Sequence, residues 1–126
     1  MSLKTPLGRV LGLGSAKEGT DHFISQRLSA MGLALLGLWF IASMLSLDSL
    51  AYLEVIRFIG DPLNGVLLSL LTLTVAYHSF LGVQVVIEDY VHATGLKVFT
   101  LIALRFAYIL IAVAGVYAIL RIGFSA

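Results

Sequence analysis

The sequence predicts an all-α integral membrane protein with three transmembrane helices, because the chain is strongly apolar and its apolar residues fall in three long runs. Of its 126 residues, 60% are hydrophobic and only 12% are charged, whereas soluble domains carry about 25% charged residues. A chain with so little polar surface belongs in a bilayer. Backbone groups in lipid must be hydrogen-bonded within the protein, and three runs are too few to close a barrel, so each run is expected to be a helix.

The three runs have the length and the flanking residues of membrane-spanning helices. They cover residues 28–47, 63–87 and 98–120. At about 1.5 Å of rise per residue, even the shortest run is about 30 Å long, which is one hydrocarbon thickness. Asp61 and Pro62 predict the start of the second helix, because Asp is a good N-cap and proline loses no hydrogen bond at the first helical position. Residues 92–97 predict a short turn between antiparallel neighbours, and residues 48–62 predict a longer connection.

Residues 1–22 are expected to form a polar lead-in to a single membrane domain that covers residues 1–126. Charged side chains interrupt this segment, so it lacks the unbroken apolar stretch of a cleavable signal peptide. The chain has no cysteine, which excludes disulfides, iron–sulfur ligation and covalent haem attachment through its own side chains. A net charge of +1 and the absence of a large basic patch give no indication of nucleic-acid binding.

The distribution of Lys and Arg predicts that the N-terminus is cytoplasmic and the C-terminus is outside. Basic residues collect on the cytoplasmic side of membrane proteins. The N-terminal segment and the second loop carry Lys4, Arg9, Lys17, Arg27 and Lys97, against Arg57 and Arg121 in the first loop and the C-terminal tail. The same orientation places the end of the second helix at the cytoplasmic interface.

His78 is the first candidate for a functional side chain, since it lies about 13 Å inside the predicted second helix. An ionisable residue at that depth is costly and is by default a functional candidate. Thr74 and Gly82, one turn to either side, are small and would leave clearance for a flat macrocycle whose iron a neutral imidazole can bind. A haem with two histidine ligands would then need its second ligand from a partner subunit or a second copy. The alternative, which the residues by themselves favour, is a histidine that hydrogen-bonds a neighbouring helix.

Asp89 and Tyr90 are the second candidate site. Asp89 follows His78 by eleven residues, so the two share a helical face about 16 Å apart, one in the bilayer and the other near its surface. A quinone needs a hydrogen-bond donor at the membrane edge, which the Tyr90 phenol can supply, and Asp89 could orient a cationic neighbour or pass protons from water. The alternative, again favoured by the residues alone, is a solvated helix end with tyrosine in the aromatic belt.

Two arginines near the predicted helices complete the candidates. Arg27, before the first helix, could bind a lipid phosphate or a haem propionate, or could serve only as a cytoplasmic anchor. Arg105, about 10 Å inside the third run, could snorkel to the surface, pair with Glu88 or Asp89, or contribute to a quinone pocket. The sequence offers no phosphate loop, metal-ligand histidine cluster or nucleophile triad, so no complete set of catalytic residues is expected.

The spacing of His78, Gly82, Asp89 and Tyr90 resembles the second-helix signature of one protein family. That family is the small hydrophobic membrane anchor subunit of succinate dehydrogenase (succinate:quinone oxidoreductase, respiratory complex II), in its bacterial form. Its members place Gly four residues after the His, and Asp-Tyr eleven and twelve residues after it. The lead-in DHFISQRLSA, the three helices and the chain length are also similar, so the resemblance covers almost the whole chain.

The resemblance implies a subunit of a heteromeric helix bundle in the inner membrane of a bacterium. His78 would be an axial ligand of haem b, with the second ligand from the cytochrome b subunit. Tyr90 would hydrogen-bond ubiquinone near the iron–sulfur subunit, which receives electrons from the flavoprotein subunit, and Asp89 would hold an arginine of a partner chain. Arg27 would contact a haem propionate or lipid. A fumarate reductase anchor, or a structural or assembly subunit without a cofactor, remains open.

Overall fold

The computed structural model describes residues 17–125, and within them the chain is entirely helical. The helices are α1 (Lys17–Leu45), α2 (Tyr52–Gly60), α3 (Pro62–Tyr90) and α4 (Thr94–Ser125). In length and composition, α1, α3 and α4 are each sufficient to cross a membrane. The predicted all-α fold with three candidate spans is therefore confirmed. Residues 1–16 of the predicted lead-in lie outside the described residues, whereas residues 17–22 belong to α1.

The three long helices extend past the apolar runs that predicted them, except at the end of α1, which stops at Leu45, two residues before its run ends. Helix α1 begins eleven residues before the first run, and α4 begins at Thr94 and ends at Ser125 rather than at 98 and 120. A helix of 29 residues, such as α1 or α3, is about 43 Å long and exceeds the hydrocarbon layer. An apolar run marks the part of a helix that fits in hydrocarbon, and helical hydrogen bonding continues through the polar residues beyond it.

Helix α2 lies in the connection between the first two spans and was not predicted. Its polar residues Glu54 and Arg57 form an ion pair of 2.8 Å between Oε1 and an Nη atom. Its apolar side packs against α3 and α4, and Phe58 stacks on Trp39 of α1 with ring centroids 6.1 Å apart. A helix of nine residues gains little from propensity alone and forms through such packing. Its apolar and polar residues do have the spacing of an amphipathic helix, a signal that the prediction missed.

The start of α3 confirms the predicted capping signal. The Asp61 Oδ1 atom accepts a hydrogen bond from the Asn64 N–H at 3.0 Å, and Pro62 is the first residue of the helix. The Asp61 N–H also donates to the Arg57 carbonyl at 3.1 Å, so one residue ends α2 and begins α3. At the other end, the Lys97 Nζ donates to the Glu88 carbonyl at 2.9 Å, which ties α4 to the last turn of α3 across a short turn.

Helix α3 is the central element of the bundle, with α1 and α4 packed on opposite sides of it. Within the described part of the chain, α1 and α4 do not pack on each other. Glycine allows both contacts to be close. A Cβ placed on Gly32 of α1 would lie 3.6 Å from the Thr74 Cγ2 atom, and one on Gly115 of α4 would lie 2.7 Å from the Thr72 Cγ2 atom. The bundle is therefore a single layer of three antiparallel spans.

The layer buries very little of its own surface. Among residues 19–125, only Ser29, Ala76 and Leu81 are classed as buried. Most large apolar side chains of the three spans face outward, where lipid or another membrane protein would cover them. One of the three buried residues is polar, so the contact that Ser29 makes is of particular interest.

Candidate functional site

His78 lies on the face of α3 that packs against α1, where Ser29 meets it. The His78 Nδ1 atom is 3.0 Å from the Ser29 Oγ atom, and Ser29 is only 8% exposed. The Ser29 hydroxyl donates to the Gln26 carbonyl oxygen one turn earlier, also at 3.0 Å. Within residues 19–125, His78 Nε2 has no hydrogen-bond partner, and it is not among the enclosed polar atoms. One ring nitrogen is therefore used inside the chain and the other is left accessible.

The small residues beside His78 serve helix packing. Thr74 contacts the backbone region of Gly32, and a Cβ on Gly82 would lie 4.0 Å from the Gln26 Nε2 atom. The clearance that was expected to admit a macrocycle along this face is therefore occupied by α1. Thr74 and Gly82 bring α1 close enough to α3 for the Ser29 hydroxyl to reach the imidazole. A planar group bound at Nε2 would have to approach from outside the α1–α3 contact.

Three polar residues share one face of α1, and two of them, Gln26 and Ser29, meet α3; sequence reasoning assigned none of the three a role. His22, Gln26 and Ser29 occupy positions i, i+4 and i+7, which share one helical face; we call them the α1 polar stripe. Both ring nitrogens of His22 and the Oε1 atom of Gln26 are enclosed and have no hydrogen-bond partner in the described residues. The signal available in the sequence was this spacing, which was hidden because residues 17–22 were expected to precede the helix.

Asp89 and Tyr90 form the last turn of α3, on the same continuous helix as His78. From the helical periodicity, Asp89 lies about 20° and Tyr90 about 120° around the axis from His78. Both side chains are exposed, Tyr90 by 79%. Neither makes a hydrogen bond or ion pair with another residue in the range 19–125. The phenol and the carboxylate are thus available to a molecule outside this chain.

The two candidate arginines lie away from the α1–α3 contact that holds His78. Arg27 is exposed, and its Cζ atom is 5.0 Å from the Phe23 ring centroid. Arg27 lies about 160° around the α1 axis from Ser29. Its side chain therefore points away from His78. Arg105 is exposed on α4, with its Cζ atom 5.8 Å from the Phe80 ring centroid.

The expected alternative of an ion pair between Arg105 and the end of α3 is not found. In the described part of the chain, the one salt bridge joins Glu54 and Arg57, and Glu88 instead accepts from the Gln84 Nε2 atom at 2.7 Å. Arg105 lines a groove of about 390 Å³ between α3 and α4. Its guanidinium therefore lies at an open surface of the bundle, against an aromatic ring.

These features define a class of protein: a multi-span membrane protein whose central helix carries an accessible imidazole in its interior and a phenol–carboxylate pair at its end. Residues 1–118 match the family model of the succinate dehydrogenase/fumarate reductase transmembrane subunit. The chain therefore belongs to this family, as a membrane anchor subunit of succinate dehydrogenase.

Individual relatives agree with the family match. The succinate dehydrogenase hydrophobic membrane anchor subunit of Rickettsia bellii is 36% identical over 106 residues, covering 84% of this chain and 85% of the relative. The subunit of the same name from Paracoccus denitrificans is 30% identical over 122 residues, covering 97% and 94%. That of Rickettsia typhi is 36% identical over 106 residues, covering 83% and 84%. The similarity thus extends along nearly the full length of both chains.

Proposed function

We propose that this subunit supplies one axial ligand to haem b and completes a ubiquinone-reduction site in the assembled succinate dehydrogenase. The observation that carries the proposal is His78, a membrane-embedded imidazole with Nδ1 engaged inside the chain and Nε2 accessible. The relatives described above share the name of succinate dehydrogenase, which supports succinate oxidation over fumarate reduction as the physiological direction.

The donor set fits a haem held between two subunits. A low-spin haem would take two protein ligands, and neutral imidazole is a common one. In the described chain no three His, Cys, Asp or Glu side chains are grouped as a metal site, and His22 has its nitrogens enclosed. The second ligand would therefore come from the cytochrome b subunit. When bound, haem b supplies a one-electron carrier within the membrane.

Tyr90 and Asp89 are proposed to contribute to the quinone site. Ubiquinone takes up two electrons and two protons on reduction, and its carbonyl oxygens accept hydrogen bonds. The exposed Tyr90 phenol can donate one of these bonds at the membrane edge. Asp89, with no partner among the described side chains of its own subunit, would hold an arginine of a partner chain. The position of both residues at the end of a membrane span supports a site beside the iron–sulfur subunit.

The proposed setting is the cytoplasmic membrane of a bacterium, with the N-terminus in the cytoplasm. The excess of Lys and Arg at the N-terminal end of the bundle supports this orientation. On that side the iron–sulfur and flavoprotein subunits would lie against the end of α3 and the turn before α4. Arg27, exposed and directed away from His78, is proposed to bind a lipid phosphate rather than a haem propionate.

The haem assignment is tested by His78→Ala in the purified complex. Removal of the imidazole is expected to abolish or alter the low-spin haem spectrum, measured as a reduced-minus-oxidised difference. His92→Ala is the matched control, since His92 is exposed in the turn after α3 and its loss should leave the spectrum unchanged. Co-purification of the flavoprotein and iron–sulfur subunits verifies assembly. An unaltered spectrum in His78→Ala would show that this residue is not the ligand.

A further inference from the structure

We propose that Ser29 is a positioning residue that fixes the tautomer of His78, with the proton on Nδ1 and the lone pair of Nε2 directed to the iron. This inference rests on the proposed haem ligation and adds to it the group that prepares the ligand. It follows from the two hydrogen-bond contacts of a single hydroxyl.

The direction of the hydrogen bonds follows from counting protons. The Ser29 Oγ atom lies 3.0 Å from the Gln26 carbonyl oxygen and 3.0 Å from His78 Nδ1. A carbonyl oxygen can only accept, so the single hydroxyl proton of Ser29 must go to it if that contact is a hydrogen bond. Oγ then has only lone pairs to offer to the imidazole, and Nδ1–H must be the donor. A neutral imidazole has one N–H, so Nε2 carries the lone pair.

The opposite tautomer has one hydrogen bond fewer. If the Ser29 hydroxyl donated its proton to an unprotonated Nδ1, its hydrogen bond to the Gln26 carbonyl oxygen would be lost. Nε2 would then be an N–H donor, which cannot bind iron. The tautomer with the proton on Nδ1 keeps both hydrogen bonds of the Ser29 hydroxyl and is therefore favoured. The chain therefore prepares the ligand before any haem is bound.

The packing of α1 on α3 holds the Ser29 hydroxyl against the His78 imidazole. Ser29 is 8% exposed, so neither lipid nor water easily replaces its hydroxyl. One turn further along α1, a Cβ added to Gly32 would lie 3.6 Å from the Thr74 Cγ2 atom. The absence of that Cβ lets the two helices approach closely beside the Ser29–His78 contact. A hydrogen bond from the second ring nitrogen of a metal-binding histidine orients the ring and raises its basicity. Ser29 should therefore strengthen the bond from Nε2 and favour ferric over ferrous iron.

The test compares hydroxyl-retaining and hydroxyl-free variants in the complete, haem-loaded complex. Ser29→Ala removes the hydroxyl, while Ser29→Thr and Ser29→Val have nearly the same shape and differ in that hydroxyl. Ser25→Ala, one turn earlier on α1, is the matched control. The measurements are the midpoint potential of haem b by redox titration and the low-spin EPR signal of the oxidised haem. Both report on the iron rather than on turnover.

The expected result is a higher midpoint potential and a shifted EPR signal in Ser29→Ala and Ser29→Val. A tenfold loss of ferric preference corresponds to about 59 mV for a one-electron couple. Ser29→Thr and Ser25→Ala should resemble the unsubstituted complex. If Ser29→Ala does not assemble, the Thr and Val pair decides, because only the hydroxyl separates them.

The outcomes separate this inference from the proposal on which it rests. Equal potentials and EPR signals in Ser29→Thr and Ser29→Val, with haem still lost in His78→Ala, would overturn the role of Ser29 and leave the ligand assignment standing. A haem spectrum untouched in His78→Ala would overturn both. An unshifted midpoint potential in an assembled Ser29→Ala complex would likewise contradict the inference.

Discussion

At the scale of single residues, the functional candidates were visible in the sequence but their partners were not. The depth of His78 in an apolar run identified it as a candidate, because a polar group in lipid requires a reason. Its partner Ser29 is 49 residues away along the chain and is one of several serines. The alternative of a histidine that hydrogen-bonds a neighbouring helix is confirmed, whereas haem ligation stays a proposal. His78 bonds α1 through Nδ1 and keeps Nε2 accessible.

Tyr90→Phe tests the proposed quinone site at this scale. Loss of one hydrogen bond to the quinone, worth roughly 1–1.5 kcal/mol, is expected to lower quinone reduction by about tenfold. Succinate oxidation with an artificial acceptor should be unchanged, since the catalytic head does not depend on the phenol. Steady-state assays of both activities on the same preparation measure the split. Tyr117→Phe, an exposed tyrosine on α4, is the control, and equal loss of both activities in Tyr90→Phe would contradict the site.

At the scale of elements, the structure is organised around α3, which packs on α1 by one face and on α4 by the opposite face. The sequence marked the start of this helix well, because Asp61 and Pro62 act locally. The prediction missed α2 although its residues have amphipathic spacing, and a helix this short is stable only when its apolar side finds a partner. The helix contacts rely on single glycines. A Cβ at position 115 would clash with the Thr72 methyl group, so only glycine allows α4 to approach α3 this closely.

Gly115→Ala is expected to destabilise the α3–α4 contact. A Cβ at this position would lie 2.7 Å from the Thr72 Cγ2 atom, and overpacking of this kind costs about 1–3 kcal/mol. Thermal unfolding of the detergent-solubilised complex should show a lower apparent Tm. The double variant Gly115→Ala/Thr72→Ser should recover most of the loss, because the next Thr72 atom, Cβ, is 4.0 Å away. Gly37→Ala, with nothing within 4 Å of its built Cβ, is the control.

An unchanged Tm in Gly115→Ala would mean that the two helices separate without cost. A loss that Thr72→Ser does not relieve would place the strain somewhere other than the Thr72 methyl group. Either result would contradict the packing described here.

At the scale of the whole molecule, the subunit is a thin layer that exposes apolar side chains on both of its faces. A single layer of helices cannot enclose a cofactor the size of haem, and the exposed Arg105 and Tyr90 have no charge or hydrogen-bond partner within the described chain. An anchor subunit works in a complex, and these surfaces have the character expected of a protein that is completed by others. The orientation of the layer decides which end meets the catalytic head.

Cysteine labelling can test the proposed orientation, because the chain has no cysteine of its own. Gly19→Cys, near the start of α1 and with nothing within 4 Å of an added Cβ, should react with a membrane-impermeant maleimide only after the cells are permeabilised. Ser49→Cys, in the connection before α2, should react in intact spheroplasts. Both positions are exposed, and each serves as the control for the other. The reverse pattern would show that the Lys and Arg count predicted the wrong side.

The sequence by itself determined the membrane class, the three spans, the capped start of α3 and the register of His78, Asp89 and Tyr90 on one helix. These features depend on hydrophobicity and on residues close together in the chain, so their physics is local. Only the tertiary structure decided that α3 is central, that α2 packs on α3 and α4, and that Ser29 of the α1 polar stripe meets His78. Those outcomes depend on which helix faces approach each other, and no local pattern specifies that approach. The contact between Ser29 and His78 exists because glycine and other small side chains let two helices pack closely at that depth.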